Sequence, residues 1–526
     1  MIETVNNIRE FLKENGIDFM LVNSTNQFLV EYNSLDENSR YFLTDFTGST
    51  GDALVSQEDV YLFVDGRYHI QADLEVNHDI VTVVKLQTGQ TFSEEIINKI
   101  SPGSSFAVVS KKNSQSRIEA FNEELKEKNV KLVLLDDDPI KDKKVDTESS
   151  VVDIDIKYTG MDSDEKIKIA SKDLKDNEAL LLTNLEEVSY LFNKRDFSKP
   201  YASNIKAKAV VLKNEALLFD ENKLNEYEAF IKGFEGNIYL DKNSVNGYDF
   251  KLIGDRAKIL KDSPVKLMKA VKTEEEIEHL KDAFKRTDLA VSAIRDYIEN
   301  NDNLTEFDIA QKLEEFYKKF GAKSLSFKSI VAKDKNSALA HYSKSSKDEI
   351  IKDGSLVLID SGAYYDGGLA TDITRVFVKG EPTELQKKVY TTVLKKFLHA
   401  FNYPVQNGTT GYEIDDLVRK IYTENELEGF VFNHGLGHGI GVSVHEYPPN
   451  LSKSELAKVE IKNNMIFSIE PGLYNENYFG VRLENSCYMK DGKIHSLVNM
   501  NYEKKLIDFS MLTEQEKEWL ESFEVK

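Results

Sequence analysis

A single cysteine, Cys487, stands in the 526 residues of this chain. One thiol can form neither an intrachain disulfide nor a thiolate metal cage, which fits a reducing compartment. Cationic residues are in short supply: 68 Lys and Arg face 90 Asp and Glu, for a net charge of -22. A surface that negative repels phosphate backbones and anionic lipid, so neither nucleic acid nor membrane is an expected partner. No apolar run approaches the roughly 18 residues of a membrane span. Residues 1–7 show no basic segment leading into an apolar stretch, so the expected location is cytoplasmic. What is present is ordinary for a globular protein. Hydrophobic residues make up 40% and charged residues 30%, enough to build cores. The length allows three or four domains of about 100 to 200 residues each.

The first part reads as alternating helix and strand. Val5 to Glu14 has helical apolar spacing, and Phe19 to Val22 reads as a short buried strand. Strands at Asp52 to Val55 and Val60 to Val64 are joined by a polar turn. The phrase returns later as Ala209 to Leu212, the turn Lys213-Asn214-Glu215, and Ala216 to Asp220. Each hairpin follows a strand-like run (Phe19 to Val22; Ala179 to Leu182) and an aromatic segment (Tyr41-Phe42-Leu43; Tyr190-Leu191-Phe192). Two related α/β domains in tandem are expected. The polar stretch Asp136 to Ser150 suggests a first boundary and Ser263-Pro264 a second. Beyond it, Thr273 and Glu276 form a capping-box pattern, with Ile277, Leu280, Phe284, Val291, Ile294 and Ile298 on one helical face.

Polar residues with chemical potential gather in the last third. Leu356 to Asp360 is an apolar strand ending in a carboxylate. It turns through Asp366-Gly367-Gly368 and returns through Ala370 to Val378, which can bring Asp372 beside Asp360. Two carboxylates held close repel unless a cation lies between them, although aspartate-bearing hairpins are also common on surfaces. His434 to Glu446 interleaves three histidines, His434, His438 and His445, with four glycines. Imidazole is a metal ligand and a proton carrier near neutral pH, and glycine lets backbone approach a ligand closely. Phe467 to Glu470 is a strand ending in a glutamate before Pro471-Gly472, and alternation in Gly480 to Asn485 sets Arg482 and Glu484 on one face. A glutamate in an apolar setting is costly to desolvate without a partner, and a metal removes that cost. Four carboxylates and an imidazole suit a hard divalent ion such as Mn²⁺, while geometry can admit Zn²⁺ or Co²⁺. Two of the carboxylates could bridge a metal pair about 3.5–4 Å apart.

In this order the four segments resemble the signature of the pita-bread metallopeptidases, the creatinase and methionine aminopeptidase group, and within it the three-domain aminopeptidase P branch. Residues Tyr41 to Ser49 and Val64 to Tyr68 resemble that branch's first domain, Leu191 to Arg195 its second, and Leu267 to Lys272 the start of its third. The resemblance implies mixed α/β and α+β architecture: two tandem creatinase-N-terminal-like α/β domains (1–140 and 141–266) before a pita-bread catalytic domain (267–526). It implies five ligands for two divalent metal ions, Asp360, Asp372, His438, Glu470 and Glu484, with Asp372 and Glu484 bridging. His341, His434 and His445 match histidines lining the substrate site, and Arg482 matches an arginine near the metals. Glu470 is expected as general base, and His445 as support for the oxyanion. His434 and His341 are expected to hold substrate and shuttle protons.

The activity implied is release of the first residue from Xaa-Pro-Yaa peptides by a metal-bridging hydroxide, in a homodimer. Alternatives are an Xaa-Pro dipeptidase, a metal-independent creatinase-like enzyme, and a non-catalytic protein-binding module. One departure stands out: Asp360 and Asp372 are twelve apart (372 minus 360), one more than the family's usual spacing. The surplus falls in the Asp366-Gly367-Gly368 turn, so both aspartates stay in the expected set.

Overall fold

The computed structural model describes residues 1–87, 89–141, 150–421, 427 and 429–523, and the chain divides into two compact units. One comprises Met1–Ser149, Asp162–Lys194 and Asn204–Val265; the other comprises Ser150–Met161, Arg195–Ser203 and Lys266–Lys526. Most of the polar stretch read as a first boundary, residues 142–149, lies outside the described residues. Among the described residues no helix is long and apolar enough to cross a membrane.

The first unit opens with helix α1, Ile2–Asn15, whose Val5, Ile8 and Leu12 are buried at helical spacing. It holds two sheets. The first comprises β1 (Phe19–Val22), β2 (Asp52–Ser56), β3 (Val60–Val64), β4 (Val81–Lys85), β5 (Ser105–Val109) and β6 (Lys131–Leu135), in the order β4-β3-β2-β1-β5-β6. The second comprises β7 (Glu178–Leu182), β8 (Ala207–Leu212), β9 (Glu215–Asp220), β10 (Asn237–Asp241) and β11 (Ala257–Leu260), in the order β9-β8-β7-β10-β11. In each sheet the leading strand pairs antiparallel with a hairpin on one side. On its other side two strands follow in parallel. The aromatic segments are short helices at matching places, Ser39–Thr44 and Leu185–Leu191. The repeat read from two similar hairpins is therefore a repeat of topology, with β4 the addition in the first copy. β1 and residues Ala179 to Leu182 of β7 are continuous apolar runs because strands in the middle of a sheet are covered on both faces.

In the second unit the long helix α2, Glu274–Asn300, starts on the Thr273/Glu276 capping box and buries Ile277, Leu280, Phe284, Val291, Ile294 and Ile298. Helix α3 spans Glu306–Lys319 and α4 spans Glu384–Phe401. A three-stranded sheet, β12 (Ile330–Lys333), β13 (Leu356–Ser361) and β14 (Ile373–Val378), has β13 in the middle. A five-stranded sheet contains β15 (Gly437–Gly439), β16 (Glu446–Leu451), β17 (Ile466–Ile469), β20 (Asn485–Lys490) and β21 (Lys493–Ser496), in the order β16-β15-β17-β20-β21. Between them in sequence, β18 (Gly472–Tyr474) pairs with β19 (Gly480–Arg482). One core contains Leu356, Leu358, Val376 and Val378 from the smaller sheet, Phe467 and Ile469 from the larger, and Val389, Val393 and Phe397 from α4.

Candidate metal centre

Strand alternation builds the first half of the site. Asp360 lies opposite Thr374 across the β13–β14 ladder, on the face whose other end buries Leu356, Leu358, Val376 and Val378 in the core. Asp372, just before β14, shares that face with Thr374. The return strand begins at Ile373, three residues later than the sequence suggested. Before it, Ala370 already bridges Tyr364, and a Cβ on Gly362 would lie 1.8 Å from the carbonyl oxygen of Thr371, so the two backbones meet where a side chain cannot fit.

The second half comes from the larger sheet. Ser468 of β17 receives the backbone N–H of His438 at 3.0 Å, and its hydroxyl donates to Glu470 Oε1 at 3.1 Å. His438 Nδ1 lies 3.0 Å from the carbonyl oxygen of Gly439. A carbonyl only accepts, so Nδ1 donates, and Nε2 is the nitrogen turned toward the carboxylates. That Nε2 lies 3.2 Å from Glu470 Oε1 and 3.6 Å from Asp372 Oδ2. With Nδ1 engaged by the backbone, Nε2 is the nitrogen oriented for a metal. The glycines of this segment do not open space for a ligand as expected. A Cβ on Gly437 would lie 2.0 Å from the Ser468 carbonyl oxygen, so glycine here admits the protein's own neighbouring strand.

Glu484 follows β19 and receives the Thr374 hydroxyl at 2.8 Å. The two halves are tied by the Glu484 N–H donating to the Thr374 carbonyl and by Ser486 Oγ donating to the Asp372 carbonyl. Arg482 pairs with Asp360 through Nη2 and donates from Nη1 to Tyr474 Oη at 2.8 Å. Tyr474 Oη in turn lies 2.8 Å from His434 Nε2, and His434 Nδ1 donates to the Gly435 carbonyl at 2.7 Å. Both ring nitrogens of His434 are therefore engaged, and burial holds its pKa down to about 4. The His445 ring stands edge-on to that of His438, centroids 4.3 Å apart. His341 is half-buried in the loop after the 3-10 turn Asp334–Ala338. Ser337 of that turn exchanges hydrogen bonds with Gly480 at the start of β19.

The electrostatics are those of crowded anions. Burial, then the charges of Glu484, Asp360 and Glu470, pushes the Asp372 carboxyl well above the usual range. Burial does the same to Glu484, reinforced by Glu470 and Asp360. Asp360 is also raised by burial, against the lowering charge of Arg482. At Glu470 burial pushes upward but is outweighed by His438, His434 and Arg482, which hold its carboxyl below the ordinary range. Three carboxylate oxygens here, Asp360 Oδ1, Asp372 Oδ1 and Glu484 Oε1, are fully buried with no hydrogen-bond partner among the described residues. Atoms of Asp372, His438 and Glu484 suited to ligating lie within 4.8 Å of one another. Buried acceptors of this kind are expensive unless something positive meets them. An oxygen-rich set with one imidazole fits divalent cations.

Sequence reasoning missed Thr374, Tyr474 and Ser468, each holding a member of the cluster. Thr374 had a local signal, two residues from Asp372 on one strand. Tyr474 and Ser468 act through pairings that spacing alone does not reveal.

Comparison with known proteins agrees with this architecture. Residues 278–491 match metallopeptidase family M24, and residues 5–139 and 142–276 each match a creatinase/prolidase N-terminal domain. The chain is 29% identical to a probable Xaa-Pro aminopeptidase P of Laccaria bicolor, over 99% of this chain and 89% of that protein. It is 26% identical to aminopeptidase P2 of Arabidopsis thaliana, over 99% and 84%. Its fold is that of an X-prolyl aminopeptidase of Caenorhabditis elegans described as a cytosolic enzyme with a di-nuclear active site. That structure superposes with a TM-score of 0.91 at 22% identity, covering 99% of this chain and 94% of that one. The chain thus carries a region matching metallopeptidase family M24, residues 278–491, preceded by two regions that each match a creatinase/prolidase N-terminal domain.

Proposed function

We propose that this chain is an Xaa-Pro aminopeptidase, a metal-dependent exopeptidase that releases the first residue of peptides with proline second. The observation that carries the reading is the cluster of Asp360, Asp372, His438, Glu470 and Glu484, three of whose carboxylate oxygens are buried without a partner among the described residues. In this reading those five would hold two divalent cations, Mn²⁺ before Zn²⁺ or Co²⁺. Such ions supply Lewis acidity, making water a nucleophile near neutral pH and polarising the scissile carbonyl. Relatives named Xaa-Pro aminopeptidase P, matched over nearly the full length of the chain, support the substrate class.

The protein's own groups divide the remaining work. Glu470 is kept ionised by its neighbours, the state a general base requires, and accepts the proton of the attacking water before passing it toward the leaving proline nitrogen. His445, beside His438, steadies the oxyanion. Arg482 holds Asp360 in place and contributes to substrate binding with His341. His434 is neutral, and its engaged nitrogens favour a role in holding substrate and Tyr474 over free proton transfer. Proline has no N–H and a fixed φ, which is why its amide demands a dedicated enzyme. We further assign the domains to 1–140, 141–266 and 267–526, and the working form to a cytoplasmic homodimer.

The test is purification, stripping with chelator and re-addition of Mn²⁺ with an Xaa-Pro-Yaa peptide. Metal-dependent release of the first residue is expected, and His438→Ala is expected to abolish it. Cleavage confined to Xaa-Pro dipeptides would make the chain a prolidase. No metal-dependent cleavage of either peptide would remove the peptidase reading.

A further inference from the structure

Glu306, the first residue of α3, is completely buried and forms no ion pair among the described residues. A lone carboxylate in that position is costly unless every lone pair is met. Here four donors meet it. The Lys333 N–H and Asn336 Nδ2 reach Oε1 at 2.6 and 2.9 Å; the Tyr342 hydroxyl and Ser346 N–H reach Oε2 at 2.6 and 2.8 Å. The helix start adds a favourable field for a negative charge.

All four donors lie on one segment, residues 333–346, which begins at the end of β12 and carries His341 next to Tyr342. Strand β12 pairs with β13, the strand of Asp360. Another tether, Ser337 to Gly480, leads into β19 and Arg482. One buried carboxylate thus gathers a loop that is also tied to the strand of Asp360 and, through Ser337, to the strand of Arg482.

We infer that Glu306 is a positioning residue for His341, fixing the 333–346 loop so that the histidine meets the peptide substrate. The inference rests on the proposed peptidase reading for the role of His341, but the clamp itself does not. Only an ionised carboxylate can accept from four donors at once. Glutamine turns one side of the group into a donor, facing either the Lys333 N–H or the Ser346 N–H, neither of which can reverse.

The experiment uses the full-length, Mn²⁺-loaded protein as wild type, Glu306→Gln, Tyr342→Phe, His341→Ala and the Glu306→Gln/His341→Ala double variant. Two readings are taken: amide hydrogen exchange of residues 333–346, and kcat and KM for an Xaa-Pro-Yaa peptide with metal content measured beside them. Loss of a hydrogen bond to a charged group predicts exchange about tenfold faster in that segment for Glu306→Gln and Tyr342→Phe. It also predicts a KM raised about tenfold with metal content unchanged. In the His341→Ala background, Glu306→Gln should add almost nothing to the kinetic loss. Unchanged exchange in 333–346, or a full additional kinetic loss in the double variant, would overturn the inference. Should Glu306→Gln fail to fold, Tyr342→Phe carries both readings. Should the wild type cleave no peptide, the peptidase reading falls and the exchange result alone decides the clamp.

Discussion

Replacing Asp372 with asparagine should make the metal-free protein more stable while removing its response to metal. Ligating oxygens of Asp372 and Glu484 lie within 4.8 Å of each other, both residues nearly inaccessible to solvent. At an effective dielectric constant of about 20, two unit charges at that distance repel by about 3.5 kcal/mol. The protein can avoid the repulsion by holding a proton, but at pH 8 that costs about 5.6 kcal/mol against an unfolded aspartate near 3.9. Asparagine avoids both costs, and its amide can donate to the remaining carboxylates. Allowing for relaxation, a gain of about 1–3 kcal/mol is expected, or roughly 2–12 °C if a domain of this size unfolds alone. The assay is thermal unfolding at pH 8 with chelator and with Mn²⁺, beside elemental analysis of bound metal. Wild type should be stabilised by the ion by about 2.7 kcal/mol at a hundredfold excess over Kd; Asp372→Asn should not respond. A variant less stable than wild type in chelator, or one that keeps the full metal-induced shift, would refute the argument.

Arg482→Met should leave Asp360 buried without its cation and cost the metal-free protein about 3–5 kcal/mol; a melting temperature within 2 °C of wild type, on a scale where about 1 kcal/mol moves it 2–4 °C, would contradict this. His279 is buried, its Nε2 accepts the Gly367 N–H at 3.1 Å, and burial holds its pKa down to about 4 despite Asp282 and Asp366 nearby. Between about pH 6.5 and 4 the unfolded chain therefore takes up a proton that the folded chain refuses, so stability is full above 6.5 and falls by up to about 3 kcal/mol as pH drops to 4. Thermal unfolding of His279→Gln at pH 7 and 5 should show a smaller acid loss than wild type. Glu516, in the C-terminal helix Glu514–Glu521, binds the buried Lys395 at 2.7 Å and His399 at 2.9 Å. Glu516→Ala should strand Lys395 and make residues 512–523 susceptible to limited proteolysis, an effect that high salt should not reproduce in wild type.

Much of the architecture was legible because the relevant signals are local. The capping box at Thr273 and the apolar spacing after it define the start and the buried face of α2 within a few turns. The runs at Phe19 to Val22 and Ala179 to Leu182 are apolar without alternation because both faces are covered, and the hairpins beside them repeat with them. The candidate acidic residues could be singled out for a related reason: Asp360, Glu470 and Glu484 end or follow, and Asp372 precedes, a strand too apolar to leave a carboxylate there without purpose. Less legible was the work of the glycines. The pattern around His438 suggested room for a ligand, but Gly437 makes room for Ser468, a residue 31 positions away (468 minus 437). His434 looked free to carry protons, and its pairing with Tyr474 and Gly435 leaves neither nitrogen open.

The amino-acid sequence by itself determined which residues of this protein have chemistry to offer, because alternation, caps and breaks act over a few residues and leave their mark there. Tertiary structure decided which of them meet. Thr374 reaches Glu484 across 110 positions, Arg482 reaches Asp360 across 122, and Glu306 gathers donors from 27 to 40 positions away. Such pairings depend on how strands are ordered and how loops return. A buried charge satisfied from far along the chain therefore looks, in sequence, like any other acidic residue at the start of a helix.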